Sequence, residues 1–166
     1  LYIGKREEVF VYNESTGNFD LYYHLAGKDI TLSCLHLDEK KNLWMGTTSN
    51  GLYCLSGDKK ISQPVTRGNI ASIYEDSSKE LWICTWEEGL YRIKTDSTIE
   101  NFRHDPKNPN SICADFVRSC CEDNAGNLWI GTFHGLNRYE KSTGKFQLYT
   151  ANAVSYTHLT LPTNSL

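Results

Sequence analysis

The sequence lacks the features that mark membrane-embedded and nucleic-acid-binding proteins. Of its 166 residues only one is methionine and four are proline, and no apolar run approaches the roughly 18 residues that a membrane-spanning helix needs. Lysine and arginine number 17 against 20 acidic residues, whereas a nucleic-acid-binding domain is usually basic. The first residues show no secretion-signal pattern. We therefore expect neither nucleic acid nor membrane contact within this stretch of sequence.

Cysteine is present, but not in a pattern that predicts chemistry. None of the six cysteines is in Cys-x-x-Cys spacing, and no cysteine or histidine pair has the spacing of metal ligands. An even number permits disulfides without indicating a pairing, and buried small apolar side chains are the favoured interpretation. Cys120 and Cys121 are adjacent in the sequence, so on a strand their side chains would point to opposite faces. The six are Cys34, Cys54, Cys84, Cys113, Cys120 and Cys121.

What the sequence does contain is an internal repeat. A Leu-Trp-Ile-Gly-Thr motif occurs three times with small changes, and a shortened copy stands at the start of the chain. A second landmark, Ser-Thr-Gly before an aromatic strand, occurs at Ser15 and again at Ser142, and the same 127 residues separate the first and last copies of the motif. The two landmarks therefore share one register. The motif copies begin at Leu1, Leu43, Leu81 and Leu128.

Each full motif is preceded by an aspartate, and the segment between them reads as a tight turn. Aspartate suits such a turn because its carboxylate accepts backbone N–H groups. Gly126 can adopt positive φ there without strain, whereas Lys41 and Lys79 occupy the same place and are expected to carry about 1 kcal/mol of strain each. An apolar pair, six and three residues before each motif's aspartate, marks the preceding strand. The aspartates are Asp38, Asp76 and Asp123.

The motif itself predicts a strand that is buried on both faces. Strand alternation places its Leu and Ile on one face and its Trp on the other, and its Gly is expected to admit a neighbouring backbone, with Cys84 replacing that Gly in one copy. A four-stranded unit of roughly 40–45 residues buried on both faces is a propeller blade. The predicted fold is all-β, a partial β-propeller of about three and a half four-stranded antiparallel blades. The predicted segments are 1–28, the end of a blade; 29–68, a blade; 69–112, a blade with a spacer; 113–152, a blade; and 153–166, a tail without repeat.

These residues resemble the two-component regulator propeller repeat. The closest copy runs from Phe116 to Thr132, and the linker from His104 to Ile112 is similar to spacers between blades of that family. The resemblance implies the extracytoplasmic sensor region of a membrane histidine kinase, often a hybrid kinase of Bacteroidetes-type bacteria that responds to glycans. It implies a periplasmic location, an oligosaccharide or other small ligand, a possible homodimer of the parent protein and no cofactor. No phospho-accepting histidine helix or ATP-binding glycine box occurs in the sequence.

Two features indicate a piece of a larger gene product. Closed propellers typically have four to eight blades, and the first repeat starts in the middle of a blade. The stretch 153–166 matches no blade position and resembles translated sequencing-adapter read-through; an ordinary C-terminal tail is the alternative. We expect the function to belong to the parent protein.

Catalytic residues are not predicted. The acidic pairs Glu7-Glu8 and Glu87-Glu88 stand at equivalent places between the second and third strands of two blades, where a solvated loop is favoured over a glycosidase pair. None of the five histidines accompanies a nucleophile motif. The recurrence of an aspartate in every blade indicates architecture, because an active site would use a unique residue. The histidines are His24, His36, His104, His134 and His158.

Aromatic residues offer the one binding hypothesis that the sequence supports. Trp86 and the pair Phe133-His134 occupy matching loops of adjacent blades. They could stack on sugar rings, but packing against the next blade is favoured, and no ligand-binding residue is assigned. The leading interpretation is a ligand-sensing propeller without catalytic activity. A carbohydrate-active propeller enzyme and a non-catalytic interaction scaffold remain as alternatives.

Overall fold

The computed structural model describes residues 1–27, 29–63 and 65–150. Within them fifteen strands form four antiparallel sheets, which we call blades I to IV. The predicted tail at 153–166 and His158 lie outside the described residues. No helix that could cross a membrane occurs in the part of the chain that the structure describes.

Blade I has three strands and the other blades have four, each paired with its neighbour along the chain. Blade I consists of β1 (Tyr2–Lys5), β2 (Glu8–Asn13) and β3 (Asn18–His24). Blade II consists of β4 (Leu32–Leu37), β5 (Leu43–Thr47), β6 (Leu52–Leu55) and β7 (Ile61–Ser62). Blade III consists of β8 (Ile70–Glu75), β9 (Leu81–Thr85), β10 (Leu90–Ile93) and β11 (Ile99–Phe102). Blade IV consists of β12 (Val117–Glu122), β13 (Leu128–Thr132), β14 (Gly135–Glu140) and β15 (Lys145–Tyr149). The predicted fold of consecutive four-stranded blades is confirmed.

The hydrophobic core lies between adjacent blades. One cluster joins blades III and IV around Trp82, which is fully buried and packs its ring 5.4 Å from that of Tyr139. Equivalent clusters join blades I to II and II to III. All five residues of the second strand are buried in blades II and III, as expected for a sheet stacked between two others. Complete burial of one such side chain stabilises the fold by about 1.5–3 kcal/mol, so blade stacking is the main source of stability.

The motif glycine has a different role from the expected one. A Cβ at Gly46 would meet side chains and not a neighbouring backbone: it would lie 2.5 Å from the Cys34 sulfur and 2.7 Å from Ile70 Cγ2. In blade III the same place holds Cys84, which is fully buried. Around Cys84, Ser72 stands at the position that Cys34 has around Gly46, and Val117 stands at the position of Ile70. Compared with blade II, the packing around Cys84 gains a side chain at one position and has smaller side chains at two others, which keeps the packed volume similar.

Candidate functional site

The two ends of the blades differ in how strictly they repeat. At one end, the turn end, the first strand of each blade turns into the second. Here Asp38, Asp76 and Asp123 each accept the backbone N–H four residues later, at 2.7, 3.0 and 2.9 Å. Gly126, Lys41 and Lys79 have φ of 80°, 63° and 65°. The turn prediction and its left-handed position are confirmed.

Each turn aspartate also holds the tryptophan of its own blade. The indole Nε1 of Trp44, Trp82 and Trp129 donates to the aspartate Oδ2 at 2.9, 2.8 and 2.7 Å. The bond from Trp129, with further bonds from Asn127, holds the pKa of Asp123 well below its usual range. The constant spacing of six residues between the aspartate and the tryptophan in all three copies could have predicted this bond. Because all three four-stranded blades have it, the bond is architectural.

A unique ion cluster at the turn end joins blades III and IV. Lys141 Nζ lies 2.9 Å from Asp76 Oδ2 and 2.6 Å from Glu122 Oε1. Glu122 also accepts the backbone N–H and hydroxyl of Ser77 at 2.7 and 3.0 Å. Lys94, the residue that directly follows β10 in blade III, pairs instead with Glu100 of its own blade. The cluster therefore distinguishes one blade interface from the others.

The opposite end, the loop end, carries the residues that differ from blade to blade. The first strand of each full blade contains a β-bulge, which falls at Ser33, Ala71 and Arg118. A bulge inserts one unpaired residue and redirects its side chain. The spacing of the apolar pairs could have revealed these bulges: residues three apart on a regular strand face opposite sides, yet Ile70 and Ile73 pack in one cluster.

A second repeated feature places one loop residue beside each bulge. The first residue of the loop after the second strand donates its backbone N–H to the residue just before the first strand. These bonds bring together side chains that the repeat does not fix. The pairs are Thr48 with Thr31 at 2.9 Å, Trp86 with Asn69 at 3.1 Å and Phe133 with Phe116 at 3.0 Å.

The type of side chain at the loop end differs from blade to blade. Blade II presents small hydroxyl side chains, whereas blades III and IV present a row of aromatic rings. Trp86 packs edge-to-face on Phe116 with ring centroids 5.1 Å apart, and Phe116 lies 6.0 Å from Phe133. Trp86 is half-buried against the next blade, as the packing interpretation predicted, while Phe133 is 71% exposed and His134 is also exposed.

A shallow groove of about 290 Å³ lies beside this row and spans three blades. Its walls carry one cation, Arg118, and no carboxylate among the described residues. The Arg118 guanidinium lies 5.5 Å from the centre of the Trp86 ring. The lining residues are Ser33, Thr48, Asn69, Ile70, Ala71, Trp86 and Arg118.

The acidic pairs do not form a catalytic site. Glu87 is exposed, as expected for a solvated loop, but Glu88 is half-buried and accepts hydrogen bonds from Thr66 Oγ1 and, at 3.0 Å, from the Tyr91 hydroxyl. Burial, followed by this bond, raises the pKa of Tyr91. The interpretation as a fully solvated pair is therefore wrong for Glu88. In the other pair, the backbone carbonyl of Glu7 accepts the N–H of Leu25 at 2.9 Å and Glu8 is the first residue of β2.

The other singled-out side chains are dispersed over the blades. His36 Nε2 lies 3.4 Å from Glu75 Oε2, His104 Nδ1 lies 2.9 Å from the Ile112 carbonyl oxygen, and His24 is exposed. The favoured role of cysteine as a buried side chain fits Cys54 and Cys84 fully, whereas Cys121 is exposed.

The cysteines of blades III and IV meet across the blade interface. The sulfur atoms of Cys84 and Cys120 lie 3.6 Å apart as thiols. The bond to Cys84 and burial raise the pKa of Cys120. A protonated, buried thiol is a poor nucleophile, so the contact serves packing.

Comparison with known proteins identifies the repeat. The family model for the two component regulator propeller matches residues 65–87 and 111–134, which confirms the resemblance for these segments. Each match contains an entire turn, a motif strand and the start of the variable loop. A comparison with curated proteins returned no match.

Solved structures support the same assignment. The extracellular domain of BT3049 from B. thetaiotaomicron, described as a hybrid two component system, is 26% identical with a TM-score of 0.67 over 82% of this chain and 18% of its own. The corresponding domain of BT4673 is 25% identical with a TM-score of 0.67 over 81% and 19%. The chain thus spans about a fifth of the length of these domains. Virginiamycin B lyase from Staphylococcus aureus, at 18% identity and a TM-score of 0.68 over 89% and 51%, shares the fold.

Proposed function

We propose that this chain is part of the extracytoplasmic sensor propeller of a hybrid histidine kinase, which binds an oligosaccharide in the periplasm and signals as a homodimer. The observation that carries the proposal is the match of two segments to the regulator propeller model. The likeness to two extracellular domains of hybrid two component systems, at 25% and 26% identity, supports it.

The distribution of repeated and unique residues is consistent with binding without catalysis. The carboxylates that recur at the turn end are engaged by tryptophan and backbone N–H groups. The unique residues of the loop end are mainly aromatic and hydroxyl side chains with one arginine. Such side chains suit recognition of a sugar. The lyase shares the fold at 18% identity, and fold alone does not transfer an activity.

The complete gene around this sequence tests the proposal. We expect further propeller blades, then a membrane-spanning helix, then a phospho-accepting histidine and an ATP-binding region. A complete gene that encodes a closed propeller with neither a membrane segment nor a kinase would refute the sensor assignment and favour a scaffold. Cleavage of a polysaccharide by the complete propeller, lost on mutation of residues at one end of it, would favour an enzyme.

A further inference from the structure

We propose that the groove at the loop end of blades II to IV binds an acidic sugar, with its ring against Trp86 and its negative group on Arg118. The inference deepens the proposed function and rests on it only for the biological role. Its basis is the arrangement of side chains at positions that the repeat leaves free to vary.

The bulges supply the geometry. Because a bulge residue has no partner in the strand ladder, its side chain can change without altering the pairing. Blade II has Ser33 at this position, blade III has Ala71 and blade IV has Arg118. The small residue of blade III leaves open the space that Trp86 and Arg118 then border.

Trp86 differs from the other tryptophans of the chain. The indole N–H groups of Trp44, Trp82 and Trp129 are each taken by an aspartate. Within the described residues, the indole N–H of Trp86 has no protein acceptor. A half-buried tryptophan with an unused donor offers a ligand both an apolar face and a polar contact.

Arg118 supplies the charge preference. It is exposed and forms no ion pair among the described residues, whereas Arg92 and Arg103 pair with carboxylates. Arg118 makes a cation–π contact with the Trp86 ring, and such contacts are weak at exposed sites. The guanidinium can therefore exchange the ring for a carboxylate or sulfate, which it binds in a bidentate manner.

The opposite wall of the groove suits hydroxyl groups. Ser33 and Thr48 are exposed, and Asn69 presents an amide. These side chains can donate and accept hydrogen bonds. At about 290 Å³ the groove lies near the lower end of small-molecule sites, which are roughly 300–1,000 Å³. It therefore fits one sugar ring of a chain better than a whole oligosaccharide.

Calorimetric titration of the chain with three probes tests the proposal. The probes are a galacturonic acid trisaccharide, a sulfated galactose oligosaccharide and neutral galactotriose. We expect one or both acidic probes to bind at least about tenfold more tightly than the neutral one, since a hydrogen bond to a charged group has roughly that effect. The better of the two acidic probes identifies the negative group as carboxylate or sulfate.

Matched variants assign the binding to the groove. We expect Arg118→Gln and Trp86→Ala each to weaken acidic-probe binding about tenfold or more. Arg67→Gln is the control, because Arg67 is an exposed loop arginine that does not line the groove. Unchanged thermal melting of each variant shows that the fold is intact.

Several outcomes would overturn the inference. These are equal affinity for acidic and neutral probes, absence of binding to all three, and equal effects of Arg118→Gln and Arg67→Gln. The failure of the proposed function is separate: a complete gene without a kinase would remove the sensor role while binding in the groove stood. A kinase gene whose groove binds none of the probes would leave the sensor role and remove this inference.

Discussion

Replacing Lys141 by methionine should destabilise the chain, because two carboxylates in the interface of blades III and IV share its ammonium group. The Asp76 side chain is fully buried and that of Glu122 is 7% exposed. Removing one partner of a buried ion pair typically costs 3–5 kcal/mol. Asp76 would keep its bonds from Trp82 and the backbone, so we expect a loss of about 2–3 kcal/mol for the variant.

A lysine of the preceding blade provides the control for this experiment. Lys94 directly follows the third strand of blade III, as Lys141 follows that of blade IV, but it pairs with Glu100, whose side chain is 35% exposed. A pair that water still reaches contributes about 0–1 kcal/mol, so Lys94→Met should have a much smaller effect. Urea unfolding followed by tryptophan fluorescence would compare the two variants at pH 7.

The pH dependence gives the experiment a second readout. Burial raises the pKa of Asp76, but hydrogen bonds from Trp82 and Lys141 outweigh it and lower the pKa overall. The pKa of Glu122 is lowered in the same way by Lys141 and Ser77. A carboxyl with a lowered folded-state pKa stabilises the fold above its unfolded pKa of about 4. That stabilisation is lost as the pH falls through the folded-state value.

The difference between wild type and Lys141→Met should therefore be largest near pH 7 and should shrink below about pH 4. Equal losses for the two lysine variants at pH 7 would refute the reasoning. A difference that persists undiminished at pH 3 would also refute it, because it would show a packing effect and not a charge effect.

Three further outcomes follow from the geometry. Trp82→Phe should cost about 2 kcal/mol of unfolding free energy, since it leaves a buried carboxylate without its indole donor; urea unfolding measures this, and a loss below that of an exposed substitution would contradict it. Lys41→Gly should be neutral or stabilising by up to about 1 kcal/mol, whereas Gly126→Ala should destabilise by about 1 kcal/mol, because both positions have positive φ. Thermal melting in which Lys41→Gly destabilised the chain as much as Gly126→Ala would exclude the strain argument. Under native conditions a thiol reagent should modify the exposed Cys121 quickly and the buried Cys84 only on unfolding, and mass spectrometry that found equal labelling rates would rule this out.

The architecture could be predicted because the residues that recur in each repeat are those that form the same contacts in successive blades. The motif tryptophans of blades II and III, Trp44 and Trp82, each lie in the interface with the following blade, so the two copies are independent observations of one environment. The left-handed turn at Lys41 and Lys79 could be predicted because Gly126 fills the same place in the third copy. Such inferences need only the sequence and the strand period.

The ion cluster could not be predicted in this way. Lys94 and Lys141 each directly follow the third strand of their blade, yet Lys141 reaches back to Asp76 of the neighbouring blade whereas Lys94 pairs within its own. The choice depends on which carboxylates lie within reach of a flexible side chain, and sequence spacing does not specify distances across an interface. The half-burial of Glu88 escaped prediction for the same reason, since its donor Thr66 lies in the preceding loop.

The repeat also separates stability from recognition in this chain. At the turn end the repeated aspartates hold the tryptophans that pack between blades II to IV, and a change there alters that packing. At the loop end the bulge is required so that apolar residues three apart can both face the core, but the extra residue itself contributes little to that packing. The serine, alanine and arginine found at the three bulges show that the position accepts very different side chains. A binding groove can therefore change its specificity at these positions while the blades keep their structure, which is why the residues that break the repeat are the ones to examine for function.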